Sequence, residues 1–243
     1  MVAHETSVYR VPDELDDEAA AMIEPLSVSV HAALHRLPEA GERALVVGCG
    51  TIGLGVIEAL RALAPESEIT AMARYPQQEA MASRLGADEL IVHEEPYVGV
   101  ARFTGGKLYE GALGSRMILG GYDVVYDCVG TGRTVEDSMR WARAGGTVVL
   151  VGMSLKRMQV DLTPTWYQEV ALIGTYSHGM EMRGGRRLST YDLIVEALRE
   201  GTMTTEGFVT HRYPLARWRE AARTAADKRS GAIKVMLDYR TDA

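Results

Sequence analysis

Residues 44–53 constrain the fold of this chain more tightly than any other stretch. Ala44-Leu45-Val46-Val47 is an unbroken apolar run, Gly48-Cys49-Gly50-Thr51-Ile52-Gly53 follows at once, and a helical pattern then runs from Ile52 to about Ala64. A short run without polar alternation suits a strand buried on both faces, as in a parallel sheet. Between such a strand and a helix the three glycines have separate duties. Gly48 permits a tight turn, Gly50 lets the backbone approach a pyrophosphate, and Gly53 lets the helix pack close to the strand. The helix N-terminus then offers free N–H groups and a positive dipole end, which together attract phosphate. GxGxxG in this setting is a dinucleotide fingerprint. Two readings compete with it: a glycine-rich turn without a ligand, and the first loop of an S-adenosylmethionine methyltransferase. The latter usually reads GxGxG behind an acidic residue, and Val46-Val47 and Ile52 count against it.

Further strand-like runs are Ile69–Met72, Glu89–Val92, Asp123–Tyr126, Thr147–Val151 and Val170–Ile173, with helical segments Gln77–Leu85, Thr134–Arg143 and Thr190–Glu200 between or after them. Strands alternating with helices imply βαβ units. The expected fold class is therefore α/β, a doubly wound parallel six-stranded Rossmann sheet. Ahead of it, Val11–Leu15 reads as a turn, and Asp16-Asp17-Glu18 as the cap of a helix to about Arg36. Pro25 should kink or break that helix near Glu24. Gly99–Gly121 has no assignable pattern. Met1 to about Glu18 and Phe208–Ala243 fit the sheet least. The second of these has strand-like Val209–Tyr213, a helix from Leu215 to about Lys228 and strand-like Ile233–Leu237, as in part of another unit.

The net charge of -7, with no basic run, gives no support for binding nucleic acid or an anionic membrane. No apolar run is long enough to span a bilayer. The two cysteines, Cys49 and Cys128, form neither a CxxC pair nor a disulfide framework, so a reducing cytoplasm is the expected setting.

Dinucleotide sites selective for NAD place Asp or Glu about twenty residues past the loop, on the adenosine ribose. That register falls on Ala73, which has no carboxylate, and Arg74 and Tyr75 follow. A carboxylate there would repel a 2′-phosphate, whereas Arg74 can bind one through charge-assisted, bidentate bonds. NADP(H) is expected over NAD(H), against the plainer reading of Arg74 as a solvated surface charge.

Several of these segments, in this order, resemble the zinc-type medium-chain dehydrogenases, the alcohol, sorbitol and threonine dehydrogenase family. The matching residues are Glu24-Pro25-Leu26-Ser27-Val28, the Gly48–Gly53 loop, Leu85-Gly86-Ala87-Asp88, Asp127-Cys128-Val129-Gly130, Gly145–Gly152, Val209–Leu215 and Ile233-Lys234-Val235. The resemblance implies that Cys128, Val129, Gly130, Val151 and Gly152 lie against the cofactor beside Gly48, Gly50, Thr51, Ile52, Gly53, Ala73, Arg74 and Tyr75. It implies hydride transfer between nicotinamide and an alcohol or carbonyl substrate, and a homo-oligomer or partner chain, since the sixth strand of such proteins often pairs across a dimer axis.

The family's zinc ligands lie in an N-terminal GroES-like domain, and the sequence begins after that region. Residues 1–18 and 205–243 are then remnants of that catalytic domain around a dinucleotide-binding domain at 19–204. His4-Glu5 reads as a solvated pair. Glu24 matches a glutamate that approaches the family's zinc, but one carboxylate cannot hold a metal that needs three or four ligands. Zinc is not expected in this chain alone, and Glu24 is at most an extra ligand if the other domain is supplied. His31 and His35, four apart on one helix face, are a possible metal pair, with structural histidines the plainer reading; His93, His178 and His211 are isolated. No other acid–base set is visible. The expectation is an oxidoreductase that needs its second domain for turnover, with a non-catalytic NADP(H)-binding module as the alternative. Gly179–Gly185 is expected to be a surface loop, or else a segment near the nicotinamide.

Overall fold

The structure, a computed structural model, describes residues 2, 4, 8–111 and 115–240. The Asp16 side chain accepts from the Ala19 amide (2.8 Å) and caps helix α1, Asp17–His35. Then follow β1 (Arg43–Val47), α2 (Thr51–Leu63), β2 (Glu68–Met72), α3 (Pro76–Arg84) and β3 (Glu89–Ile91). Next come α4 (Pro96–Thr104), β4 (Lys107–Glu110), β5 (Arg116–Leu119), β6 (Tyr122–Asp127), α5 (Gly132–Trp141), β7 (Ala142–Leu150), α6 (Thr163–Tyr167) and β8 (Ala171–Gly174). The remainder holds β9 (Met180–Arg183), β10 (Arg186–Ser189), α7 (Thr190–Glu200), β11 (Val209–Pro214), α8 (Trp218–Ala226) and β12 (Lys234–Asp238).

Six strands form one sheet in the order β3-β2-β1-β6-β7-β8, and every neighbouring pair is parallel. The chain builds outward from β1 to β3 and then returns to place β6 on the other flank of β1. The crevice beyond the carboxyl ends of β1 and β6 is thus the switch point, where open α/β sheets bind their ligands. The apolar run at β1 serves both faces. Ala44 and Val46 join the core with α1, α2 and α7, while Leu45 and Val47 join the opposite core with Tyr97, Val135 and Trp141.

The helix does not break at Pro25; α1 continues through it. Proline costs a helix interior about 3 kcal/mol. Met22, Ile23, Leu26 and Val30 are all buried on α1, and each such side chain contributes roughly 1.5–3 kcal/mol. Burial therefore outweighs the lost hydrogen bond. The unassigned Gly99–Gly121 stretch contains α4, which Gly105 ends in a left-handed conformation (φ 66°), and the antiparallel pair β4–β5. Gly179–Gly185 is likewise no loop. β9 and β10 form an antiparallel hairpin whose turn, Gly184-Gly185, has φ of 55° and 75°, values that suit residues without a Cβ.

The C-terminal pair β11–β12 is parallel and carries α8 between its strands, so this part is itself a βαβ unit. Phe208, fully buried, and Val209 pack it into the α1–α2 side of the core. At the other end, Tyr9 stacks on Tyr191 of α7 (5.1 Å) and donates to Asp192 (3.0 Å). Among the described residues no helix is long and apolar enough to cross a membrane.

Candidate dinucleotide-binding site

The phosphate loop leaves the carboxyl end of β1 and enters α2. Gly48 has φ 90°, and its amide donates to the Met72 carbonyl (3.1 Å), which holds the loop between β1 and β2. A Cβ on Gly53 would stand 2.0 Å from the Gly48 oxygen, so only glycine lets α2 start this close to the strand. A Cβ on Gly50 would meet nothing within 4 Å. That open side is where a pyrophosphate fits. Gly50 caps α2 without a side-chain bond, and the first intrahelical acceptance is by its carbonyl from Leu54. The Thr51, Ile52 and Gly53 amides therefore have no intrahelical acceptor and remain donors for an anion. The Thr51 hydroxyl is engaged elsewhere: it donates to the Ile233 carbonyl (2.7 Å) and ties the loop to the C-terminal unit.

The second wall is built where β6 and β7 end. A Cβ on Gly130 (φ 72°) would fall 2.3 Å from backbone atoms of Gly152, and one on Gly152 would fall 2.3 Å from the Val129 carbonyl carbon. Two strand ends thus touch through backbone alone. Val129 also closes on the phosphate loop, since a Cβ on Gly48 would meet its Cγ2 at 2.4 Å. Cys128, Val129, Gly130, Val151 and Gly152 accordingly line the same carboxyl edge as Gly48–Gly53.

Asp127 organises this wall; the sequence marks it only within the Asp127-Cys128-Val129-Gly130 segment, with no role among the site residues. Its side chain is fully buried, and Oδ1 accepts from the Val129 (2.9 Å) and Gly130 (3.0 Å) amides. Its carbonyl accepts from the Val151 (2.9 Å) and Gly152 (2.7 Å) amides. Burial pushes its carboxyl up from the usual range, while the two amides oppose that shift. Each charge-assisted bond contributes roughly 1.5–3 kcal/mol. Asp127→Ala is expected to lower stability by about 3 kcal/mol and weaken dinucleotide binding, read by thermal melting and calorimetry. Unchanged binding would remove Asp127 from this role.

Ala73 is buried where β2 ends, and its amide donates to Ile91 (3.2 Å). Arg74 beside it is exposed, with its guanidinium 5.9 Å from the Tyr75 ring centre and no ion pair among the described residues. Both thiols are free. Burial pushes Cys49 up to about 12 and Cys128 well above its ordinary value, so neither is poised as a thiolate.

Of the candidate metal residues, His31 and His35 come together on α1, with their Nε2 atoms 3.2 Å apart, and the others stand apart from them. Among the described residues no three His, Cys, Asp or Glu side chains are placed to hold one ion. Glu24 is exposed on α1 and lies close enough to Tyr191 to raise that phenol, after burial. His93 pairs with Glu79 (3.1 Å), His178 packs on Tyr191 (4.5 Å) and His211 meets Thr210 (3.0 Å). Of His4-Glu5, His4 is exposed and Glu5 lies outside the described residues. The chain's own residues thus fit a dinucleotide and do not by themselves fit a catalytic zinc.

The sequence signature of the zinc-binding dehydrogenases matches residues 51–189, more than half of the chain. The chain belongs to that family. An L-idonate 5-dehydrogenase from Vitis vinifera is 33% identical over 241 residues, covering 98% of this chain and 61% of the relative. A sorbitol dehydrogenase from Arabidopsis thaliana is 33% identical over 233 residues, covering 95% and 59%. The crystal structure of an L-idonate 5-dehydrogenase from Escherichia coli superposes with a TM-score of 0.73 at 24% identity, covering 94% of this chain and 59% of that one. The chain therefore spans about 60% of the length of these relatives.

Proposed function

We propose that this chain binds NADP(H) in preference to NAD(H) and serves hydride transfer between nicotinamide and a small alcohol or its carbonyl counterpart. Polyols of the kind named for its relatives are the first substrates to try. The observation that carries the cofactor choice is Arg74, exposed and without an ion pair among the described residues, next to Ala73 where NAD-selective sites place a carboxylate. The nicotinamide supplies the hydride chemistry once bound. The Thr51, Ile52 and Gly53 amides hold the pyrophosphate, Arg74 and Tyr75 flank the adenosine ribose, and residues 128–130 and 151–152 face the ring end. A zinc ion of the family's kind would polarise the substrate oxygen, and Glu24, exposed on α1, would be the residue of this segment that approaches it.

In this reading residues 19–204 are the cofactor domain, and 1–18 and 205–243 belong with the catalytic domain. Among the described residues β8 pairs only with β7, which leaves its outer edge for a second copy of the chain, with Trp166 and Tyr176 exposed just before and after the strand. Two free thiols, Cys49 buried and Cys128 half-buried, support a cytoplasmic setting.

Calorimetric titration with NADPH and NADH tests the cofactor claim. Arg74→Ala is expected to weaken NADPH about ten- to a hundredfold, the worth of one charged hydrogen bond, and to leave NADH almost unchanged. Equal losses would discard the 2′-phosphate reading. NADPH consumption with ketoses and aldehydes, with and without added zinc, separates an oxidoreductase from a binding module.

A further inference from the structure

We propose that His31 and His35 bind one late first-row divalent cation, Cu2+, Ni2+ or Zn2+, and that the ion clamps the β9–β10 hairpin onto α1. Neither the cofactor nor the dehydrogenase reading is needed for this. The two rings extend from the last two turns of α1, and their Nε2 atoms face each other at 3.2 Å. Two imidazole lone pairs at that distance repel unless a proton or a metal ion lies between them. Two nitrogens each 2.0–2.1 Å from a single zinc stand about 3.3 Å apart at a tetrahedral angle and about 2.9 Å apart at a right angle. The observed separation lies between these limits.

The other nitrogen of His31 favours the metal. Nδ1 lies 2.5 Å from Glu181 Oε1 on β9, and the tautomer with its proton on Nδ1 donates to that carboxylate and leaves the Nε2 lone pair for a ligand bond. Metal-binding histidines recurrently hold their second nitrogen against a carboxylate in this way, which fixes the ring and raises its basicity. The ring is also held in place: the His31 side chain is 17% exposed, and a Cβ on Gly179 would come within 2.6 Å of its Cε1. His35 lies at the exposed end of the pair and gives an ion access from solvent.

Among the described residues these two side chains are the protein ligands, so water completes the shell and selectivity follows imidazole affinity. Cu2+ should bind more tightly than Ni2+ or Zn2+. Because the ion makes the His31 Nδ1 proton more acidic, it strengthens the bond to Glu181 and so couples β9 to α1.

The test uses the full 243-residue chain, stripped with chelator and titrated with each metal chloride by calorimetry, followed by thermal melting and amide exchange. One ion per chain is expected, with Cu2+ tightest, a higher Tm and slower exchange at residues 180–189. Exposed His35→Gln should keep the far-UV spectrum and lose at least tenfold in affinity together with the Tm shift. Glu181→Gln should lose about ten- to a hundredfold. Binding that is unchanged in His35→Gln, or no saturable binding at all, would overturn the proposal and leave a proton-bridged histidine pair.

Discussion

Gly53→Ala is expected to remove measurable dinucleotide binding and to destabilise the chain by about 3 kcal/mol. The added Cβ would stand 2.0 Å from the Gly48 oxygen and 3.1 Å from its carbonyl carbon. Both are backbone atoms, so no side chain can swing aside. Either α2 moves off β1 or the loop opens, and overpacking of this kind typically costs 1–3 kcal/mol or more. Movement of α2 also carries away the three amides proposed to hold the pyrophosphate. Gly50→Ala is the informative contrast. Nothing lies within 4 Å of its added Cβ, and its φ of -79° suits any residue. Its stability should match the parent while binding still falls, because the methyl group occupies the space of the pyrophosphate. Melting curves with calorimetry on both variants check this. Parent-like NADPH binding by Gly53→Ala would mean that the phosphates lie elsewhere.

The second large effect concerns pH. Glu58 on α2 is 5% exposed, and its Oε1 accepts from the Thr204 amide (2.6 Å). Burial raises its carboxyl to about 7, with the Thr204 bond and the charge of Arg84 opposing. The folded chain therefore holds a proton that the unfolded chain releases near the ordinary value of 4.5. For an acid shifted upward, stability falls as pH rises between the two values and stays low above the higher one. The difference between 4.5 and about 7 corresponds to roughly 3 kcal/mol lost by pH 8. Glu58→Gln removes the ionisation, so the parent and the variant should converge at pH 4.5 and separate by roughly that amount at pH 8. Denaturant titrations across this range read the difference directly, and parallel curves would show that Glu58 carries no such shift. The same helix begins at the phosphate loop, so alkaline loosening at Glu58 should also weaken cofactor binding.

The main sheet was legible because its strands are buried on both faces. Such strands need consecutive apolar residues, and Ala44–Val47, Asp123–Tyr126 and Thr147–Val151 supply them. The phosphate loop was legible because backbone approach leaves only glycine at Gly48 and Gly53. Elements stabilised mainly by remote contacts were not. β4 and β5 have four residues each, and Ile118 is fully buried in a core that also holds Tyr97, Val135 and Trp141 from other elements. The β9–β10 hairpin reads as a polar, glycine-rich loop, because its anchors, His31 to Glu181 and Gly179 to Thr190, connect separate segments. Asp127 stands out in the sequence only as the first residue of the Asp127-Cys128-Val129-Gly130 segment, without a role of its own. Its role depends on four amides that the fold turns toward it.

Sequence alone determined the α/β class, the six core strands, the place of the glycine-rich loop between β1 and α2 and the lack of a carboxylate at Ala73. Each of these depends on residue type at fixed local spacing, where periodicity and glycine geometry act within a few residues. Tertiary structure alone decided that α1 passes through Pro25, that Asp127 ties the ends of β6 and β7 together, that the Thr51 hydroxyl is committed to Ile233, and that His31 and His35 face each other beside Glu181. Those outcomes depend on burial and on contacts between residues far apart in the chain, which no local pattern encodes.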